Sequence, residues 1–204
     1  MPRLPEHGTR RPTLTAVRRT GRGRVVLEVD GQAWRTVPEE VVLRVGLASG
    51  DELDRPALRR LRVELRRLEA LTAATRALAR QDLSRARLSD RLRASGVAPA
   101  EETRTLALLE SNSLVDDRRL AETRAAALAE RGWGDDAIVS RLESQSLEPE
   151  DVRAALASLP PETERAAALA AGTEDRRATG LLLARRGFSP DSIEFVLGVL
   201  DEDP

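Results

Sequence analysis

A set of leucine and proline positions recurs three times along this chain of 204 residues. Leu128, Leu142, Pro149, Leu156 and Leu159 fall on the same residue types when they are shifted back by 50 residues or forward by 41. Constant offsets of this size are typical of stacked helical repeats, in which each unit buries its open face on the next. The sequence therefore predicts a row of repeats and not one irregular domain.

Each repeat is predicted to contain three helices. In the central repeat the first helix spans about residues 116–131, the second spans about 135–144, and both carry apolar residues at helical spacing. The third helix begins at Pro149, which a first turn tolerates because its missing N–H would be unpaired there anyway. The two offsets, 50 and 41, differ by nine residues, and these nine must be missing between Leu159 and Leu169, where Pro160 and Pro161 lie. The third repeat is therefore predicted to have a shortened first helix.

The segment before the repeats has the pattern of a small β module. Residues 25–29 and 33–37 are rich in β-formers and flank Asp30-Gly31, the favoured two-residue hairpin turn, while residues 13–19 are a candidate third strand. The predicted fold class is mainly α: three tandem three-helix repeats forming an elongated curved array, preceded by a small β-hairpin-containing N-terminal module. The predicted boundaries are 1–12 for a flexible basic arm, 13–54 for the α+β module, 55–113 for repeat 1 with a long first helix, 114–159 for repeat 2, and 160–204 for repeat 3.

The residue types that most catalytic sites need are scarce. The chain has no cysteine and a single histidine, His7, which leaves no thiolate metal site and few acid–base schemes. Paired acids at residues 116–117, 135–136 and 150–151 each begin a predicted helix, where carboxylates cap free N–H groups, so we interpret them as caps and not as metal ligands. We expect no enzyme, no catalytic residue, no cofactor and no metal. Without an apolar run long enough for a membrane span, a cytoplasmic protein is predicted.

Charge is divided unequally along the chain. Residues 1–97 contain 21 arginines and 12 acids, whereas residues 98–204 contain 12 arginines and 22 acids. A basic half favours contact with a polyanion or an acidic surface. The outward arginines of the first two repeats are the candidate contacts, although an exposed arginine beside a glutamate is often only solvated. These candidates are Arg59, Arg66, Arg76, Arg80, Arg85, Arg91, Arg118, Arg119 and Arg124.

Trp133 lies between Gly132 and Gly134 at a predicted helix junction. It could stack on a partner, but its equivalent one repeat earlier is Leu83, which favours packing. Aromatic residues make up only 2% of the chain, which disfavours a single-strand binder that works by base stacking.

Four motifs in order resemble those of the RecX regulatory-protein family. They are RQDLSRARL at residues 80–88, LVDDRRLA at 114–121, Gly-Trp-Gly at 132–134 followed by Ile138, and RRGF at 185–188. The resemblance covers about residues 71–200, and the hairpin-bearing segment is similar to an extension that some members carry. The sequence departs from the family at Arg87, where an acid is common, and at Gln145-Ser146, where a glycine is usual.

The resemblance implies a modulator of the RecA recombinase without catalytic activity. Family members bind in the helical groove of the RecA filament on single-stranded DNA. They typically suppress ATP hydrolysis, strand exchange and the coprotease activity that triggers the SOS response. The implied partner is the RecA filament, DNA in single- or double-stranded form is a further candidate, and a monomer is expected. Two other readings stay open, namely an independent DNA-binding helical module and a helical-repeat scaffold for protein interactions.

Overall fold

A computed structural model describes residues 11–171 and 175–202 of the chain. The described residues form three β-strands followed by ten α-helices, which confirms a mainly helical fold with a small β-containing start. Residues 1–10 of the predicted basic arm, including His7, lie outside the described residues. No described helix is both long enough and apolar enough to cross a membrane.

The N-terminal strands form an antiparallel sheet in chain order. They are β1 (Leu14–Gly21), β2 (Arg24–Val29) and β3 (Gln32–Pro38). The turn between β2 and β3 is Asp30-Gly31, as predicted, and both residues have positive φ, which a type I′ hairpin requires. Alternate residues of β2, namely Val25, Leu27 and Val29, are buried in the core of this module.

A short helix, α1 (Glu39–Val45), and a long one, α2 (Arg55–Leu78), follow the sheet. Gly46 ends α1 in the left-handed conformation that terminates many helices. The helical spacing of five leucines, at 58, 61, 65, 68 and 71, predicts that they form the apolar stripe of α2. Only Leu61 and Leu65 of these are buried, and the alanines Ala70 and Ala74 occupy the closest-packed positions farther along the helix. Leu58, Leu68 and Leu71 are half-buried.

The remaining eight helices repeat the spacing found in the sequence. The second helices of the three triplets begin at Arg85, Asp135 and Arg176, and the third helices begin at Pro99, Pro149 and Pro190. We call α2–α4, α5–α7 and α8–α10 repeats 1, 2 and 3. Their bounds are α3 (Arg85–Ala94), α4 (Pro99–Ser111), α5 (Asp117–Glu130), α6 (Asp135–Glu143), α7 (Pro149–Ala157), α8 (Glu162–Ala170), α9 (Arg176–Arg185) and α10 (Pro190–Glu202).

Repeats 2 and 3 each have their own apolar core. In repeat 2, Ala121, Ala125, Ile138, Leu142 and Val152 are buried together. The spacing of Val152, Leu156 and Leu159 predicts that they form the buried stripe of α7. In the structure the two leucines are half-buried, and Ala155 is fully buried in their place. The core of repeat 3 consists of Ala166, Ala170, Leu183, Phe188 and Val196.

By its internal contacts the chain divides into two compact units. The first contains the sheet, α1, α2 up to Thr75 and the segment Ser95–Thr105. The second contains Arg76–Ala94 and everything from Leu106 onward. This division cuts through α2 and α4, whereas the predicted domain boundaries follow the repeats, and those boundaries stay a prediction.

Candidate binding surface

The nine arginines predicted as contacts lie on α2, α3 and α5 and in the segment between α2 and α3. Eight of them are exposed, and Arg124 is half-buried. Arg59 and Arg66 belong to the first unit and the others to the second. Seven residues make almost two helical turns, so Arg59 and Arg66 share one face of α2.

Four of the nine have free guanidinium groups. Among residues 11–171 and 175–202, the side chains of these four make no hydrogen bond or ion pair. Such a group can bind a carboxylate or phosphate in a bidentate manner without first breaking an internal contact. The four are Arg59, Arg66, Arg76 and Arg80.

The other five already have partners: Arg91 is engaged, and the remaining four contact groups inside the second unit. Arg85 Nε lies 2.5 Å from Glu110 Oε1. On α5, Arg118 pairs with Glu122 at 3.0 Å. Arg119 donates to the Ser113 carbonyl at 3.2 Å, and Arg124 donates to the Asp82 carbonyl at 2.7 Å. These side chains connect helices and loops, so their exposure overstates their availability to a partner.

Consecutive repeats meet at their second helices in the same way. Between repeats 1 and 2, Ser84 Oγ donates to the Gln145 carbonyl at 2.6 Å, and Arg87 donates to the Ser144 carbonyl at 2.6 Å. Between repeats 2 and 3, the N–H of Gly134 donates to the Arg186 carbonyl at 2.9 Å. Gly134 is the repeat equivalent of Ser84. The N-terminal end of one second helix therefore contacts the C-terminal end of the next, and the sequence pattern did not predict this contact.

An acid from the following repeat also caps each of these helix starts. Asp117 Oδ1 accepts the N–H of Arg85 at 2.8 Å, and Glu162 Oε1 accepts the N–H of Asp135 at 2.6 Å. Of the described acid pairs at 116–117, 135–136 and 150–151, it is Asp116 that caps its own helix, by accepting the N–H of Arg119 at 2.9 Å. The interpretation of every acid pair as a local cap was therefore too simple, because the residues that precede α6 and α7, Gly134 and Glu148, make no side-chain cap hydrogen bond and the cap of α6 comes from Glu162.

Glu162 is the centre of the junction between repeats 2 and 3. Its Oε2 accepts from Ser189 Oγ at 2.5 Å and from Ser192 Oγ at 2.8 Å. Burial opposes ionisation, but the hydrogen bonds from Ser189, the Asp135 backbone and Ser192 outweigh it, and the pKa of Glu162 is lowered. The neighbouring Asp135 pairs with Arg165, whose side chain is only 11% exposed.

The pKa values of two other carboxyl groups at the repeat junctions are shifted in the opposite direction. Burial raises the pKa of Asp135, and the hydrogen bond and charge of Arg165 offset this only in part. Burial likewise raises the pKa of Asp117, against the effect of the Arg85 N–H. No described cluster of three or more histidine, cysteine or acidic residues could hold a metal ion.

Trp133 packs within repeat 2, as its repeat position suggested. It lies against the core of that repeat, and the Arg141 guanidinium stands 3.7 Å from its ring centroid, with that of Arg186 at 5.0 Å. Cations over the ring face are attracted by its quadrupole. Because Arg186 comes from repeat 3, the tryptophan contributes to the junction between the two repeats.

A cavity of about 310 Å³ lies beside Arg119 in the second unit. Its apolar walls include Leu78, Leu83 and Leu120, and Leu114 also lines it while remaining 58% exposed. Asp82 and Asp116 line the same cavity. An exposed leucine beside a basic side chain is a combination that protein interfaces use.

No family model matches this chain, and no curated protein matches it. Solved structures do match this chain. A regulatory protein RecX superimposes with a TM-score of 0.73 at 20% identity, over 91% of this chain and 98% of the other. RecX from Lactobacillus salivarius superimposes with a TM-score of 0.60 at 19% identity, over 67% of this chain and 97% of the other.

At this level of identity, likeness to a solved structure establishes the fold. The chain therefore has the fold of RecX proteins, which confirms at the structural level the resemblance seen in the four sequence motifs. The roles of the nine arginines stay a prediction.

Proposed function

We propose that this chain is a RecX-type regulator that binds RecA filaments on single-stranded DNA and lowers their ATPase, strand-exchange and coprotease activities. The observation that carries the proposal is a fold likeness to RecX that spans nearly the whole of both chains. The ordered motifs at residues 80–88, 114–121, 132–134 and 185–188 support it independently. In this proposal the protein acts by binding, with no catalysis and no cofactor, as a monomer in the cytoplasm.

The four arginines with free guanidinium groups are the side chains best suited to the filament. A partner carboxylate or phosphate that pairs with Arg59, Arg66, Arg76 or Arg80 gains a charge-assisted hydrogen bond and costs no internal one. Pairing with Arg124 would instead compete with its hydrogen bond to the Asp82 carbonyl. We therefore rank the free arginines above the partnered ones as contacts.

Leu114 and Arg119 form a second proposed contact. Binding energy at interfaces concentrates in a few side chains that become fully desolvated in pockets, while charged rims mainly set orientation and rate. The exposed Leu114 beside the cavity can serve as such an anchor. Leu114→Ala is expected to weaken filament binding with little effect on folding, since that side chain is already largely in water.

The proposal is tested by ATP hydrolysis of the cognate RecA on single-stranded DNA as this protein is added. We expect a dose-dependent fall at amounts below one molecule per RecA protomer, because one bound molecule can affect several neighbouring protomers. An unchanged rate at every ratio, with helical circular dichroism intact, would show the proposal to be wrong. Salt-sensitive affinity for duplex DNA, together with such an unchanged rate, would support the independent DNA-binding module instead.

Two quadruple variants with the same change of net charge separate specific contact from general charge. The first changes Arg59, Arg66, Arg76 and Arg80 to Gln. The control changes four exposed arginines that already pair with an acid: Arg11, Arg18, Arg44 and Arg67. We expect the first variant to need several-fold more protein for half-inhibition and the control to resemble the parent chain. Equal losses in both would show that net charge alone matters.

A further inference from the structure

The turn between β1 and β2 holds an arginine in a conformation that arginine does not favour. Gly21 pairs with Arg24, which leaves Arg22-Gly23 as a two-residue turn, and φ is +52° at Arg22 and +68° at Gly23. Two-residue turns with positive φ at both central residues prefer Asn, Asp or Gly at the first position. The local backbone therefore gives no reason for an arginine there.

The second hairpin of the same sheet provides an internal comparison. Its turn, Asp30-Gly31, has φ of +50° and +81°, and Asp30 is one of the residues that this turn prefers. Asp30 Oδ1 also accepts the N–H of Thr13 at 3.0 Å. Asp30 therefore suits its turn in two ways, because it tolerates positive φ and because its side chain makes a hydrogen bond. Arg22 is not a preferred residue at its turn and has no side-chain partner in the described part of the chain.

Three further exposed arginines surround this turn, but each is engaged. Arg18 lies 2.5 Å from Glu28, and Arg19 lies 2.5 Å from Glu39. Arg24 donates to the Thr36 carbonyl at 3.3 Å. Arg22 and Arg24 are thus the two arginines at this turn without an acidic partner in the described part of the chain, and of the two only Arg22 makes no side-chain hydrogen bond.

The turn is also open to approach. A Cβ built on Gly21 or on Gly23 would meet no atom within 4 Å. The two glycines that flank Arg22 leave its side chain and the adjacent backbone unshielded. A narrow tip with one free guanidinium can approach a recessed or extended polyanion that a broad surface could not.

We infer that the β1–β2 turn contacts the phosphate backbone of DNA through Arg22. Duplex DNA carries about one negative charge per 1.7 Å of helix axis, so an isolated guanidinium finds a phosphate in many orientations. The major groove also admits a two-stranded β-ribbon. An acidic protein surface would need a matched set of cations, and the neighbouring Arg18 and Arg19 are already paired with acids. This site goes beyond the proposed function and does not depend on it.

Arg22→Asn separates DNA contact from a structural role. Asparagine favours positive φ, so this variant keeps the turn and raises the melting temperature while it removes the guanidinium. We expect affinity for a short fluorescein-labelled duplex, measured by anisotropy without RecA, to fall several-fold. The slope of log affinity against log salt concentration should become shallower by about 1. Arg22→Lys should retain much of the affinity, since it keeps the charge.

Arg18→Gln is the matched control, because Glu28 already compensates the Arg18 charge. We expect this control to change affinity and salt slope much less than Arg22→Asn does. Unchanged affinity in Arg22→Asn, equal losses in both variants, or no binding of the parent chain to DNA at low salt would each overturn the inference. RecA takes no part in these measurements, so they can fail while the ATPase test succeeds, and the reverse.

Discussion

Gly134 shows how a single residue determines the contact between two repeats. Its φ is −80°, so the backbone there does not need a glycine. The limited space around this residue does require a glycine, because a Cβ on Gly134 would lie 2.3 Å from the Gly187 carbonyl oxygen and 2.3 Å from the Phe188 nitrogen. The sequence marks the place with Gly-Trp-Gly but not the reason, since the backbone that excludes a side chain lies more than 50 residues away.

Gly134→Ala is therefore expected to destabilise the protein by about 3 kcal/mol, because the clash is with backbone atoms that cannot rotate away. Gly198→Ala is the matched control. A Cβ there meets nothing within 4 Å, and alanine in the interior of α10 should stabilise by about 0.5–1 kcal/mol. Urea unfolding followed by circular dichroism measures both. Equal effects would show that Gly134 is not required for close approach.

Glu162 is the second residue on which the junction depends. We expect Glu162→Gln to cost about 2 kcal/mol, since the amide cannot accept from Asp135 N–H, Ser189 and Ser192 together. Glu164→Gln, on the same helix but exposed, should change the unfolding free energy by less than about 0.5 kcal/mol. A similar loss in both variants would point to the helix dipole and not to the junction.

The pH dependence of this difference has a definite sign. The folded pKa of Glu162 lies below its ordinary value of 4.5, so its contribution is fully present above that value and is lost as pH falls through the folded pKa. The gap in stability between the parent chain and Glu162→Gln should therefore narrow on acidification. Asp117 and Asp135 have raised pKa values and contribute with the opposite sign, but both proteins carry them. A gap that widens at low pH would contradict this account.

The loops before the third helices of the three repeats share one backbone feature, a residue in the left-handed conformation at the equivalent position. Gly96, Ser146 and Gly187 have φ of +78°, +58° and +74°, and they stand 50 and 41 residues apart. Ser146 departs from the glycine of the other two loops, and the fold keeps the glycine conformation there. The departure therefore leaves the turn intact at the cost of backbone strain.

Ser146→Gly should relieve that strain and stabilise the protein by about 0.5–1 kcal/mol, because glycine adopts positive φ without a Cβ penalty. The reverse change at the equivalent site, Gly96→Ser, should destabilise by a similar amount, since a Cβ there would have open space and only the backbone term applies. Gly187→Ser should cost more, because its Cβ would also lie 2.6 Å from that of Ala137. Thermal unfolding of the three variants checks the order, and a destabilised Ser146→Gly would refute it.

Elements with a local signal could be predicted from the sequence. The prolines at 99, 149 and 190 mark the starts of three helices, and Asp30-Gly31 marks one hairpin, because these residues restrict their own backbone. The turn at Arg22-Gly23 was not predicted, since arginine is unusual there. Burial within helices was predicted less well, because small alanines such as Ala74 and Ala155 fit where helices approach most closely and leucines lie beside them.

For the whole molecule, the sequence predicted a basic first half but could not rank its arginines. Helical-face reasoning treats every outward arginine alike. The structure separates Arg124, which reaches a carbonyl 42 residues away, from Arg76 and Arg80, which have no such partner among the described residues. Contacts of this range follow from how the repeats stack, and no local pattern encodes them.

This ranking predicts how salt should affect the proposed binding to the RecA filament. Free guanidinium groups that pair with a partner's charges lose attraction as salt screens them, whereas internally paired ones contribute little at any salt concentration. Affinity of the parent chain, measured by anisotropy on filaments, should fall between low and physiological salt. The Arg59, Arg66, Arg76 and Arg80 to Gln variant should show a clearly weaker salt dependence, and the Arg11, Arg18, Arg44 and Arg67 control should follow the parent chain. If the affinities of the two variants depend equally on salt, then binding depends on net charge alone, and the free arginines are no better candidates than the paired ones.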